Sequence, residues 1–163
     1  MSTINFSDGG APETIDSRDI IKRLEELQEK RDDLLNAAAE ADEEFQALDD
    51  DEAEGIKAEY LHTFETAEIA LKEWDDENKE ELDELNNIDS DCRNYCPDWR
   101  HGEQLISEEY FTTYAEELAN DIGAVDSSAS WPLNCIDWDE AASLLKQDYS
   151  STEFYGTTYY FRG

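Results

Sequence analysis

The stretch "EFQALDDDEAEGIKAEY", residues 44–60, separates two helical patterns and thereby decides the fold. Before it, apolar residues recur at steps of mostly three or four, as on one face of an α-helix: Ile20, Leu24, Leu27, Leu34, Ala38, Ala41, Phe45 and Leu48. After it, the same spacing returns at Tyr60, Phe64, Ala67, Leu71, Trp74, Leu82 and Leu85. The two stripes predict an antiparallel hairpin of two helices, each of about 30 residues.

The position of the bend depends on Gly55, which is the single glycine between residues 11 and 101. We expect it at the turn of the hairpin. One long helix dented at Gly55 is the alternative, and it is less favoured because it would leave both apolar stripes unburied. Asp16 or Ser17 can cap the first helix, and the residues before them are expected to be flexible.

The pattern changes after Asp91. A connector, "DCRNYCPDWRHGEQ", carries two aromatic residues expected to anchor it, Tyr95 and Trp99. A helix predicted to follow begins at a partial capping box on Ser107 and ends near Gly123. A second, shorter helix is predicted after the cap residue Asp137, with Trp138, Ala141, Leu144 and Leu145 facing inward.

The end of the sequence, "SSTEFYGTTYYFRG", predicts a β-hairpin with strands at residues 151–154 and 157–161 around Tyr155-Gly156. The predicted fold class is therefore α+β, mostly α. Its parts are a flexible segment 1–16, a long acidic helical hairpin 17–90, and a small α+β module 91–163. We place most of the module's large aromatic residues in its core: Trp131, Trp138, Tyr149 and Tyr159.

Acidic residues dominate the composition, with 44 Asp and Glu against 12 Lys and Arg and a net charge of −32. Four Trp, eight Tyr and six Phe argue against a disordered acidic tail. Residues 32–91 hold 24 acids and three bases, a net charge of −21. An even distribution, as expected of a protein adapted to high salt, would give this stretch about −12, so the charge is concentrated on the hairpin.

The spacing of this charge is close to that of duplex DNA. A helix of about 30 residues rises ~45 Å, so a net charge of −21 corresponds to one charge per ~2.1 Å, against ~1.7 Å in the duplex. Two packed helices are also ~20 Å wide. The sequence therefore predicts an acidic partner-binding surface formed by Glu40, Asp42, Glu43, Glu44, Asp49, Asp50, Asp51, Glu52, Glu54, Asp75, Asp76, Glu77, Glu80, Glu81, Asp83 and Glu84.

Two alternatives stay open for the charged residues. The acidic residues could form the solvated faces of an ordinary coiled coil, although such proteins mix Glu with Lys to gain ion pairs. The bases of the first helix could either pair with acids of the second helix or contact another subunit; they are Arg18, Lys22, Arg23, Lys30 and Arg31.

The C-terminal part carries the motif residues Tyr110-Phe111, Trp131-Pro132, Ile136-Asp137-Trp138, Asp148-Tyr149 and the closing residues 159–162. In their spacing, residues 95–162 resemble a module of small acidic proteins of phages, prophages and mobile elements, some of them described as antirestriction proteins. The resemblance implies a phage-type inhibitor of host defence that works by imitating DNA. It implies no catalytic residues.

The sequence contains no pattern typical of an enzyme: no P-loop, no G-x-G-x-x-G and no G-x-S-x-G. A zinc site from Cys92, Cys96, His101 and Cys135 is disfavoured, because the C-x3-C spacing differs from the usual C-x2-C and Cys135 is expected in a buried loop. We expect no metal, no cofactor and no enzymatic activity.

The predicted function is a DNA mimic that occupies the basic nucleic-acid-binding groove of a restriction or CRISPR-type nuclease in the cytoplasm of a bacterial host. The predicted partner is thus a basic protein, with no direct binding of nucleic acid or membrane. An acidic chaperone for a basic protein and a structural coiled coil are the alternatives. A homodimer is also favoured, because Leu35, Leu61 and Ile69 lie off the helical seams and the last strand is expected at a sheet edge.

Overall fold

The computed structural model describes residues 12–49, 51–126, 128 and 130–163. They form two compact units. The hairpin unit is Arg23–Asp83, and the sheet unit combines the described residues up to Lys22 with Glu84–Gly163. Long helices and one small antiparallel sheet confirm the α+β, mostly α class.

Two long helices, α1 (Ser17–Gln46) and α2 (Glu54–Arg93), confirm the predicted hairpin. They are antiparallel in the hairpin unit, since Arg23 of α1 bonds Glu81 of α2 whereas Arg31 bonds Asp75. Helix α2 has 40 residues and is longer than predicted. Gly55 lies in the first turn of α2 instead of the turn between the helices, and a Cβ there would meet no atom within 4 Å.

The start of the chain requires a correction at Thr14–Asp16, which form strand β1 instead of belonging to a flexible segment. This strand pairs antiparallel with β2 (Gln104–Ser107), and Thr14 lies opposite Ile106. Ile15 is the buried residue of β1. A three-residue strand with one apolar side chain has too little alternation to be recognised in sequence. Residues 1–11, also predicted to be flexible, lie outside the described part.

Of the two residues predicted to cap α1, Asp16 acts as a cap and Ser17 does not. The backbone N–H of Arg18 bonds the carboxylate of Asp16 at 2.9 Å, as a cap would. The Ser17 hydroxyl instead donates to the Trp99 carbonyl at 2.6 Å and accepts from the Glu103 N–H at 2.7 Å. It thereby joins the start of α1 to the segment before β2.

The rest of the sheet unit contains α3 (Trp99–Gly102), α4 (Phe111–Asp121) and α5 (Trp138–Leu145), followed by β3 (Ser150–Phe154) and β4 (Thr157–Phe161). Ser107 accepts a bond from the Tyr110 N–H at 3.3 Å just before α4. Asp137 caps α5 as predicted, accepting from the Glu140 N–H at 3.1 Å.

The predicted β-hairpin is confirmed. Strands β3 and β4 join through Tyr155 and Gly156, whose φ angles of 47° and 71° are those of a two-residue type I′ turn. The strand order is β1-β2-β4-β3, so β4 lies inside the sheet and the expectation of an open edge at the last strand is wrong. Its side chains Tyr159 and Phe161 are buried. The homodimer stays a prediction, but an open sheet edge at the last strand no longer supports it.

The aromatic core of the sheet unit differs from the predicted one. Trp99 and Tyr159 are buried as expected, but Trp131 is 76% exposed and Tyr95 is also on the surface. Trp138 and Tyr149 are half-buried. Phe111 takes the central position, packed against Tyr114, Tyr149 and Tyr160.

Two further side chains expected inside lie outside. Cys135 is exposed in a 3₁₀ turn, and Leu144 of α5 is exposed as well. Helix α5 has only eight residues and buries Ala142, so its inward face is narrower than the apolar pattern suggested.

Candidate acidic interaction surface

The hairpin unit contains most of the acidic surface. Its 61 residues hold 24 acids and six bases, a net charge of −18. The turn between the helices is part of it: Asp49, Asp51 and Glu52 lie there, and Glu54 is in the first turn of α2. Because the N-terminus of a helix carries a partial positive charge, the Glu54 carboxylate is partly stabilised where it is.

Two arginines of α1 form ion pairs across the hairpin. Arg31 bonds both carboxylate oxygens of Asp75, at 2.7 and 3.2 Å, and Arg23 bonds both of Glu81, at 2.7 and 2.9 Å. The hydrogen bonds from the Arg31 guanidinium hold the pKa of Asp75 below its ordinary value. Of the two alternatives for the bases of the first helix, Arg23 and Arg31 therefore follow the first: they pair with acids of the second helix.

These contacts divide the predicted surface residues. Asp75 and Glu81 are engaged with the arginines, and Glu84, which belongs to the sheet unit, accepts a bond from the Tyr155 N–H at 3.2 Å. Asp42 and Glu52 are half-buried. Asp50 lies outside the described residues. The following predicted residues are exposed on the hairpin unit: Glu40, Glu43, Glu44, Asp49, Asp51, Glu54, Asp76, Glu77, Glu80 and Asp83.

The apolar side chains of the hairpin unit are incompletely covered. From Glu54 to Asp83, α2 contains no buried side chain, and α1 buries Leu24, Leu27, Ala38 and Ala41 in this unit. Phe45 and Phe64 stack near the turn with ring centroids 6.3 Å apart. The periodicity found the seam correctly, but two helices alone cannot enclose it.

A groove of about 910 Å³ runs between the two helices of this unit. We call it the hairpin groove. Its apolar lining includes Leu35, which is 47% exposed, together with Phe64 and Leu71. Carboxylates and bases of both helices lie in the same lining: Asp42, Glu68, Asp75, Asp76, Asp83, Arg31, Lys72 and Lys79. Sequence reasoning noted that Leu35 lay off the seam but did not find the groove, which depends on how far apart the helices are.

Among the residues that the structure describes, the thiols form no ligand set with other side chains. Cys92 and Cys96 are buried in the sheet unit, and burial raises the pKa of Cys92 to about 12. Within the described ranges, no group of three or more His, Cys, Asp or Glu side chains is placed to hold a metal ion. Nor does any helix of the described residues have the length and apolar character needed to cross a membrane.

Comparison with family models, curated proteins and solved structures gave no match to this chain. The resemblance of residues 95–162 to antirestriction-type proteins is therefore an expectation from the motif residues alone.

Proposed function

We propose that the protein is an inhibitor that presents its acidic hairpin to the basic nucleic-acid-binding groove of a host defence enzyme, a restriction or CRISPR-type nuclease, in place of DNA. The observation that carries the proposal is the net charge of −18 on a unit of two antiparallel helices. A surface of this kind attracts proteins whose own charge is adapted to phosphates.

The charge density supports imitation of a duplex in part. The α2 arm of the hairpin unit, residues 54–83, rises ~45 Å, so the net charge of −18 corresponds to one charge per ~2.5 Å. Duplex DNA has one per ~1.7 Å. Residues 32–91 have one charge per ~2.1 Å by the same calculation. The spacing is wider in the hairpin unit because this unit ends at Asp83 and includes three bases of α1.

The proposal is tested with purified restriction and CRISPR nucleases. Each is offered to the immobilised protein, and bound nuclease is challenged with duplex DNA. A target of a mimic is released by DNA, and its cleavage activity is inhibited at a stoichiometric ratio. Binding of a basic protein that DNA does not release favours the acidic chaperone instead.

Charge-reversal variants locate the surface. The triple variant Asp49→Lys, Asp51→Lys, Glu52→Lys changes the hairpin turn, and the control Glu109→Lys, Glu116→Lys, Asp121→Lys makes the same charge change at exposed sites of the sheet unit. We expect the first to weaken inhibition strongly and the second weakly, with both keeping the helical circular dichroism signal. Equal effects would mean that net charge, and not the hairpin, decides binding.

A further inference from the structure

The hairpin groove differs from the acidic surface around it because its lining contains large apolar side chains. DNA offers a partner no comparable apolar strip between its phosphates, so imitation of a duplex does not account for the groove. Exposed apolar area of this kind on a two-helix unit indicates a surface that another element covers. A third helix laid along the groove would complete a three-helix bundle on this side.

Charge determines which kind of helix fits. With Arg31 bonded to Asp75, the remaining charged residues of the lining are four acids, Asp42, Glu68, Asp76 and Asp83, and two bases, Lys72 and Lys79. The unit as a whole carries −18. A second copy of this chain would bring an equally acidic hairpin against it, so like-charge repulsion opposes self-association at the groove.

We infer that the hairpin groove binds a cationic amphipathic helix of the target protein, with the apolar stripe of that helix against Leu35, Phe64 and Leu71 and its Lys and Arg side chains toward the acidic rims. This inference rests on the proposed function and names the element of the basic partner that is recognised. Burial of apolar side chains and attraction between charges then both contribute to the affinity. A basic partner without an apolar stripe gains only the electrostatic contribution.

The experiment uses the full chain and two synthetic peptides of 18 residues made of Leu and Lys. In one, Leu recurs at helical spacing; in the other, the same residues are scrambled so that no apolar face forms. Binding is measured by calorimetry in 0.15 M NaCl. We expect the amphipathic peptide to bind at least about tenfold more tightly than the scrambled one, the effect of burying one or two Leu side chains.

Two matched substitutions locate the site. Leu35→Asn changes an exposed residue of the groove lining, and Ile69→Asn changes a residue that is 56% exposed and not part of that lining. Neither side chain is buried, so both variants are expected to fold. Leu35→Asn should weaken the amphipathic peptide by about tenfold, and Ile69→Asn by less than about twofold.

The outcomes separate the inference from the proposed function. Equal binding of the two peptides, or equal losses in the two variants, overturns the groove as a helix site and leaves a cation-binding acidic surface in place. Absence of binding by both peptides overturns the helix site and counts against the proposed function as well. A dimer in light scattering that Leu35→Asn abolishes shows that a second copy occupies the groove and overturns the inference.

Discussion

Trp99 and Trp131 are residues of the same type that differ in burial and therefore in their contribution to stability. Trp99 is 1% exposed, and its indole N–H donates to the Asp89 carboxylate at 2.8 Å, while its carbonyl accepts from Ser17. Asp89 also bonds Arg93, so removing the indole leaves a buried carboxylate with one partner fewer. Trp131 contacts solvent over most of its surface.

We predict that Trp99→Ala lowers the free energy of unfolding by ~3–5 kcal/mol, as expected for a large aromatic residue removed from a core. Trp131→Ala should change it by less than ~0.5 kcal/mol. Urea denaturation followed by circular dichroism measures both. Similar losses for the two variants would contradict the burial of Trp99 as the cause.

The three thiols should differ in reactivity. Burial raises the pKa of Cys92 to about 12 and also raises the pKa of Cys96, whereas Cys135 is exposed. Since the thiolate is the reactive form, iodoacetamide at pH 8 should label Cys135 in the folded protein and all three cysteines in urea. Peptide mapping by mass spectrometry identifies the sites. Rapid labelling of Cys92 in the native protein would contradict this prediction.

The same shift has a consequence for stability. The folded protein favours the protonated Cys92 thiol. The contribution of this thiol to the free energy of unfolding is therefore fully present below the ordinary thiol pKa of 9.0, and it is lost as the pH rises from there toward about 12. Substitution of Cys92 by Ala should remove this part of the alkaline dependence of unfolding.

Among the elements, the hairpin is where repulsion and pairing compete. Two arginine–carboxylate pairs join α1 and α2, but the unit has 24 acids. Salt screens both effects, with a Debye length of ~10 Å at 0.1 M. Because 24 acids face only six bases in this unit, we predict that the melting temperature rises between 20 and about 300 mM NaCl. A fall over this range, measured at 222 nm, would show that the ion pairs dominate.

The Arg31–Asp75 pair can be isolated by comparing Arg31→Gln with Lys30→Gln, which makes the same charge change at the neighbouring exposed residue. Arg31→Gln should lower the melting temperature more. Because the pKa of Asp75 is lower in the folded protein, the ion pair contributes to the free energy of unfolding above about pH 3.8. This contribution is lost as the pH falls through the lowered pKa of the folded state. The difference between the variants should therefore shrink in acid, and a constant difference would assign the effect of Arg31 to packing.

Long periodic elements were predictable and short ones were not. The apolar spacing located α1 and α2, and Tyr155-Gly156 located the β-hairpin, because each signal lies within a contiguous stretch. Strand β1 and the interior place of β4 depend on pairing between residues about 90 and 50 positions apart, such as Thr14 with Ile106 and Ile106 with Tyr160. The exposure of Trp131 and Cys135 likewise follows from the path of a loop, which composition does not determine.

The candidate site was predictable to a similar degree. Charge counting located the acidic hairpin, but it could not separate carboxylates bonded to arginine, such as Asp75 and Glu81, from exposed ones such as Asp76. A residue's neighbours across the hairpin decide this, and they depend on the register of α1 against α2. The hairpin groove depends on the same register and on helix separation, neither of which periodicity specifies.

For the whole molecule, the two parts of the proposed interface predict a biphasic salt dependence. Binding of a target should weaken steeply from 50 to 300 mM NaCl as the carboxylates are screened, and then level off at the apolar contribution of the groove. Titrations of wild type and Leu35→Asn at each salt concentration measure this. A wild-type affinity that continues to fall in parallel with that of the variant would leave the groove without a role in the complex.

The strand order β1-β2-β4-β3 also constrains how the protein is made by the ribosome. Strand β2 can pair with β1 once it has emerged, but its second neighbour, β4, is absent until Thr157–Phe161 has left the exit tunnel. Both arms of the hairpin emerge earlier and contact each other locally. During synthesis, the cluster that contains Ile106, Phe111 and Ala115 therefore lacks the packing of Tyr160 until the last strand emerges. The hairpin unit is translated before β2, and its net charge of −18 gives such nascent chains a like-charge repulsion that opposes aggregation on a polysome.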